Sequence, residues 1–298
     1  MGEPEGVVKF VPISAACRIQ ESSAIECEFF RLMCHLFAMT EHPGDTLAPF
    51  TSAKARAAFQ RVEHMGAVEA YSALAPHYAS YSETRSLYLR KVEEIVISQA
   101  GAAASVLDVG AGDGVRSLRI ARGVGATRLV LIEPSAGMRA GCPRDVEIWP
   151  CRAEQLPQFA PRFDLVLSLW NVLGHIPSAQ ERLRVLSRFK EATAPGGAIF
   201  LDVNHRHNAA AYGWARTFSR VAYDFFFPTE ENGDVMVSWQ AGDCIVETQG
   251  HVFTKAEMQR LIRLAGLKVI RRWVINYETG AECRLPLTGQ LLYQLAAA

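Results

Sequence analysis

Ser105-Val106-Leu107-Asp108-Val109 runs directly into Gly110-Ala111-Gly112-Asp113-Gly114. The first five residues make a short apolar run of the kind that forms a buried strand. The glycines after it let a backbone approach a ligand closely at the start of a helix. Their spacing departs from the dinucleotide fingerprint G-x-G-x-x-G, whose third glycine would fall at Val115. A second acid, Glu133, ends the run Leu129-Val130-Leu131-Ile132, 133 − 114 = 19 residues after the last glycine. A carboxylate at that point can accept hydrogen bonds from both hydroxyls of a ribose. Loop and acid together point to an adenosine-containing ligand.

Downstream of the loop, strand and helix patterns alternate. Strands are expected at Arg128 to Ile132, Val146 to Trp149, Phe163 to Leu169 and Ala198 to Val203, with a helix at Ala179 to Thr193. Such alternation predicts βαβ units and a parallel sheet. Asp234 to Gln240 and Asp243 to His251 alternate with period two around Ala241-Gly242, a hairpin signal. A helix from Lys255 to Ala265 and strands near Lys268 to Asn276 and Gln290 to Leu295 complete the pattern. Upstream, the first hundred residues read as helical, with helices at Ser23 to Met39, Ala53 to His64, Val68 to Ser80 and Leu87 to Gln99. The expected organisation is a helical cover over 1–100 and a catalytic domain over 101–298 that carries a lid insertion at 223–253.

The chain has 298 residues, 49% of them apolar, and 31 basic against 31 acidic side chains. Such a chain folds around a large core, and its zero formal charge argues against the broad basic face that nucleic-acid binding requires. The start, Met1-Gly2-Glu3-Pro4-Glu5-Gly6, lacks the basic and apolar regions of a signal peptide, and Gly6 stands where myristoylation wants Ser or Thr. The apolar stretch Ala24 to Met39 is interrupted by Glu26, Glu28, Arg31 and His35, so no membrane span is expected. Seven scattered cysteines without a C-x-x-C pair read as reduced thiols. The protein is expected to be cytoplasmic.

From about Tyr71 onward the chain resembles the class I S-adenosylmethionine-dependent methyltransferases. The matching segments are Val106 to Gly114, Leu131-Ile132-Glu133-Pro134-Ser135, Arg152-Ala153-Glu154-Gln155-Leu156-Pro157, Phe163 to Ser168 and Pro195-Gly196-Gly197-Ala198. The resemblance implies a Rossmann-like, doubly wound α/β fold with a mostly parallel seven-stranded sheet, N-terminal helices and an antiparallel insertion. It also implies S-adenosyl-L-methionine as cofactor. The methionine moiety would lie beside Asp108, Gly110 and Gly112, with Gly114 completing the loop. The ribose would lie on Glu133, and the adenine near Ala153 with Ser135 or Ala136 alongside. Leu169 and Tyr78, a tyrosine of the helix before the loop, would complete the cofactor site. Arg152 stands where many relatives have Asp, and reads as a rim residue. Pro150-Cys151 matches the nucleophilic dipeptide of cytosine-C5 methyltransferases in composition but follows the third strand rather than the fourth, and reads as structural.

Ligands of open α/β sheets sit at the carboxyl ends of the strands. The segments Leu169 to His175 and Asp202 to Asn208 are therefore the expected substrate-facing stretches, followed by Tyr212 and Trp214. Neither holds the Asn-Pro-Pro-Tyr type of motif of amino-methylating nucleic-acid enzymes. Methyl transfer needs alignment and, for a protonated nucleophile, a base. The candidates are His175, then His205 with His207, while Asn171 and Tyr212 are candidates for positioning. No metal is expected. The predicted activity is methylation of N or O of a small metabolite, by an enzyme that can form a homodimer. The alternatives are an RNA-modifying methyltransferase, which would need a local basic face, and a cofactor-binding regulatory protein without catalysis.

Overall fold

The computed structural model describes residues 9–12, 61–158, 162–241 and 244–298. Two four-residue strands, β1 (Lys9–Pro12) and β2 (Arg61–His64), precede helices α1 (Ala67–Leu74), α2 (Tyr78–Glu83) and α3 (Ser86–Ala100). The single helix expected over Val68 to Ser80 is divided by the 3-10 turn Ala75–His77, which contains Pro76. Proline has no amide hydrogen to continue the α ladder.

The alternating part runs β3 (Ser105–Val109), α4 (Val115–Gly123), β4 (Arg128–Ile132), α5 (Ala136–Arg139), β5 (Glu147–Trp149), β6 (Phe163–Ser168), α6 (Ala179–Ala192) and β7 (Thr193–Val203). It continues with α7 (Ala209–Tyr212), α8 (Trp214–Phe226), β8 (Asp234–Ala241), β9 (Cys244–His251), α9 (Lys255–Leu264), β10 (Leu267–Ile275) and β11 (Gln290–Ala297). Seven strands form the main sheet in the order β10-β11-β7-β6-β3-β4-β5. Strand β11 is antiparallel to both neighbours, and the remaining pairings are parallel. This is the Rossmann-like methyltransferase sheet that the sequence predicts.

The central strands are apolar on both faces because both are covered. Leu107 and Val109 point into a cluster with Phe163, Leu186, Phe189 and Ile262, beneath α6 and α9. Val106, the residue before Leu107, points the other way, into a cluster with Tyr88, Val92, Val96 and Ile120 from α3 and α4. The sheet's carboxyl edge is thereby held between two packed layers.

The hairpin β8–β9 does not extend the main sheet. It forms the middle of a second sheet, ordered β1-β8-β9-β2, in which β1 and β8 are antiparallel and β2 and β9 parallel. This corrects two expectations. Arg61–His64 is a strand rather than the end of a helix begun at Ala53, because the free edge of β9 takes its backbone groups from Arg61↔Cys244 to His64↔Glu247. The stretch 1–100 is accordingly not all helical, since it supplies both outer strands of this sheet. Position 223, the expected start of the insertion, falls inside α8. The helix expected at Ser23 to Met39, residues 53–60 and Gly242 of the expected turn lie outside the described residues. Ala70 and Leu74 of α1 pack beneath Val235, Val237, Trp239 and Val246, which joins the second sheet to the carboxyl edge of the first.

Candidate active site

The loop after β3 is built by glycine in a literal sense. Gly110, Gly112 and Gly114 all have positive φ, at 77°, 64° and 70°, where a side chain is strained. A Cβ on Gly110 would stand 2.4 Å from Val172, and one on Gly112 would stand 3.1 Å from the Tyr78 hydroxyl. The turn is tied to the end of β4 by Gly110 N–H and Ala111 N–H, which donate to Ile132 O at 2.8 and 3.1 Å.

Glu133 completes that tie. Its Oε2 accepts from Gly112 N–H and its Oε1 from Ser135 N–H, both at 2.8 Å. Burial raises its pKa, against the lowering effect of these two amides. Each oxygen retains a second lone pair for a ligand hydroxyl. Asp108 is fully buried. Its Oδ2 accepts from the Ser117 hydroxyl at 2.6 Å, and its Oδ1 has no donor among the described residues. Burial raises its pKa as well.

These residues border a cavity of about 780 Å³, counting the space open to solvent at its mouth. Gly110, Gly112, Glu133, Ala153, Tyr78 and Leu169 line it; Asp108 and Gly114 are not in its wall. Arg152, expected at the rim, is part of the lining. Ser135 sits outside the lining and caps α5, accepting from Met138 N–H at 3.2 Å.

Of the four catalytic candidates, only His175 lines this cavity. Its Nε2 is 3.1 Å from the Tyr71 hydroxyl, and burial lowers its pKa to about 4. The ring is therefore neutral at physiological pH. His205 is buried elsewhere, with its pKa also lowered to about 4 by burial. His207 Nε2 is 2.7 Å from Asp224 Oδ2, which also pairs with Arg206 Nε at 2.6 Å. Tyr212 lies under the Arg220 guanidinium, 4.4 Å from its ring centre, and burial pushes its pKa up to about 12. Asn171 spends its amide on the fold: Oδ1 accepts from Asn204 N–H at 2.9 Å and Nδ2 donates to His251 O at 3.3 Å.

Two residues of the wall, Trp170 and Arg116, were not singled out by sequence. Trp170 and Asn171 have φ of 68° and 62°, a left-handed pair directly after β6. Such non-glycine residues cost roughly 1–3 kcal/mol each and persist only where neighbours enforce them. Here Trp170 N–H donates to Asp202 Oδ2 at 3.0 Å, and Trp170 Nε1 to the Tyr277 hydroxyl at 2.7 Å. The indole is thus fixed beside Tyr78 and stacked on Tyr81. Arg116, in the first turn of α4, lies 6.0 Å from the Trp170 ring centre, and its Nη2 donates to Leu169 O at 3.3 Å. The sequence signal for Trp170 was its place one residue before an asparagine, a residue that tolerates the left-handed region; for Arg116 it was a cation in the first turn after the glycine loop.

Among the described residues, no three His, Cys, Asp or Glu side chains converge as a metal site, and no helix is long and apolar enough to cross a membrane.

A family model described as a methyltransferase domain matches residues 79–272. No curated protein sequence matches the chain. Several solved structures share its fold. An S-adenosylmethionine-dependent methyltransferase from Clostridium acetobutylicum is 9% identical, with 72% of this chain and 92% of that one covered at a TM-score of 0.52. The CcbJ methyltransferase of Streptomyces caelestis is 17% identical, covering 70% and 89% at 0.51. The sugar N-methyltransferase KedS8 of a Streptoalloteichus species is 14% identical, covering 74% and 92% at 0.50. At these identities the likeness is one of fold.

Proposed function

The chain belongs to the methyltransferase-domain family, and from that premise we propose that it transfers a methyl group to a nitrogen or oxygen of a small metabolite. Its cofactor is S-adenosylmethionine. The residues at the cavity fit that group. Gly112 leaves open a space that a Cβ would narrow against Tyr78 and Met138, and Glu133 has a free lone pair on each oxygen for the ribose, while Asp108 stands behind the wall. Ile132, Met138, Ala153 and Leu169 supply apolar wall for the adenine.

The observation that carries the small-acceptor reading is that one cavity has the glycine loop on one side and Tyr71, Trp170 and His175 on the other. A site walled on both sides admits a compact acceptor. When bound, the cofactor supplies a methyl on a sulfonium, open to in-line displacement. The protein's task is then alignment, which can supply several kcal/mol of the barrier. Trp170 is held rigidly enough to orient an acceptor, and the neutral His175 offers one ring nitrogen as hydrogen-bond acceptor, for which the methyl acceptor's N–H or O–H competes with the Tyr71 hydroxyl. Asn171 acts through the backbone turn it braces, and His205 and Tyr212 act outside the cavity wall. The shared fold with a sugar N-methyltransferase agrees with an amine acceptor.

The test is incubation of the protein with methyl-labelled cofactor and fractionated cytoplasmic metabolites, followed by mass spectrometry of labelled products. A labelled small amine or alcohol supports the reading. Cofactor binding with label in no small molecule would reject it.

A further inference from the structure

A second cavity, which shares no lining residue with the first, encloses about 740 Å³ counting its open mouth. Lys255, Arg271, Arg272 and Arg284 line it, and Glu282 is the single acid among the described residues of its lining. We propose that it binds a small ligand through a phosphate or pyrophosphate group, at a site separate from methyl transfer.

The charge balance carries the argument. The chain as a whole is neutral, yet this cavity gathers four cations against one carboxylate, 4 − 1 = 3 positive charges in excess. Among the described residues none of the four is ion-paired. Glu282 is itself shared with Lys91, which lies within range of its charge. The Nε of Arg272 is buried without an acceptor, its guanidinium meeting the Tyr293 hydroxyl but no carboxylate among the described residues, and Arg271 finds there only the Gln99 amide oxygen, at 3.3 Å, and the face of Trp273. Like charges held together repel, and a multivalent anion relieves the repulsion. Guanidinium groups match the geometry of phosphate oxygens.

The local fold holds these groups in place. Strand β10 is an edge of the main sheet, and its register shifts between Val269 and Arg271, a bulge that redirects the residues after it. The chain then folds back, with Cys283 N–H donating to Val274 O at 2.7 Å, so that Arg284 is brought alongside the edge strand. Lys255 is the first residue of α9, whose N-terminus adds positive field. Four cations fall short of the 6–10 phosphate contacts of a typical nucleic-acid interface, which favours a compact ligand over RNA.

The test is calorimetry of the full chain saturated with S-adenosylhomocysteine, so that the cofactor cavity is filled. Inorganic pyrophosphate and glycerol 3-phosphate are titrated separately, the first standing for free inorganic anion and the second for a phosphorylated metabolite. Saturable binding of either at one site per chain is expected, weakened at least tenfold in R272Q/R284Q and unchanged in R263Q. The single R284Q variant, at an exposed residue, shows the same direction if the double variant folds poorly. Bound pyrophosphate should also slow alkylation of Cys283. Absence of saturable binding, or equal binding by wild type and R272Q/R284Q, overturns the proposal. Tight binding of an RNA oligomer that pyrophosphate does not displace overturns it as well. None of these readouts depends on methyl transfer.

Discussion

Asp202 holds Trp170 in its left-handed conformation, through one carboxylate oxygen on the Trp170 amide at 3.0 Å while the other takes the Tyr88 hydroxyl at 2.6 Å. All three groups belong to different elements, so one buried carboxylate locks the exit of β6, the exit of β7 and α3 together. Replacing it by alanine leaves two buried donors without an acceptor. Asp202→Ala is expected to lose about 2–4 kcal/mol of stability in urea denaturation, with Asp202→Asn losing less. An unchanged midpoint in Asp202→Ala would mean that the turn is held without it.

Glu133→Ala removes the acceptor of the Gly112 and Ser135 amides together with the proposed ribose contacts. Charge-assisted hydrogen bonds of this kind are worth about 1.5–3 kcal/mol, so affinity for S-adenosylmethionine and S-adenosylhomocysteine should fall between roughly tenfold and 150-fold. Calorimetry with each ligand measures it. Equal affinity in wild type and variant would remove the ribose assignment.

His251 lies buried between Asp234 and Glu257, with Nδ1 2.8 Å from one and Nε2 2.9 Å from the other. Burial alone would lower its pKa and Arg182 opposes it too, but the two carboxylates prevail and the pKa is raised. A raised folded-state pKa adds stability that is complete below the unfolded value of ~6.5 and is lost as pH rises through the folded value. The melting temperature should therefore fall as pH rises above ~6.5, and His251→Gln should flatten that limb. The same limb in the variant would assign the effect to another group.

For His175 the sign is reversed. Its folded-state pKa, lowered to about 4 by burial, means that the unfolded chain takes up the proton first as pH drops. Its contribution is present above pH ~6.5 and shrinks by about 1.4 kcal/mol per unit as pH falls toward the folded value. His175→Gln should show a shallower acid limb in thermal denaturation. Its neutral state also predicts turnover that is independent of His175 titration between pH ~6 and ~9. A wild-type rate profile with a break in that interval that disappears in His175→Gln would contradict it.

The glycine loop, Glu133 and the order of the main-sheet elements could be read from the chain because each is coded by neighbouring residues: an apolar run, a turn, a capped helix. The strand at Arg61–His64 could not. Its four residues carry no strong pattern, and the partner that makes them a strand, β9, is encoded far along the chain. The same holds for Trp170. Nothing local demands a positive φ there; Asp202 and Tyr277, from β7 and the loop beyond β10, impose it. His175, by contrast, was found from its place after β6, though the burial that makes it neutral comes from α1 and the second sheet.

The small sheet has a consequence for how the chain reaches its folded form. Both strands that flank the β8–β9 hairpin come from the chain's beginning. On the ribosome, at roughly 5–20 residues per second, Lys9–Pro12 and Arg61–His64 emerge long before any partner strand exists. They can dock only after the hairpin has been made, so the second sheet is among the last parts to assemble. A chain shortened to begin at Ala67 would retain the glycine loop and the main sheet, but its hairpin would carry two bare edges, and such edges pair with those of other molecules. Shortening from the front therefore moves the sheet's open edges from two four-residue strands to the eight-residue strands of the hairpin, and self-association should appear before any loss of cofactor binding.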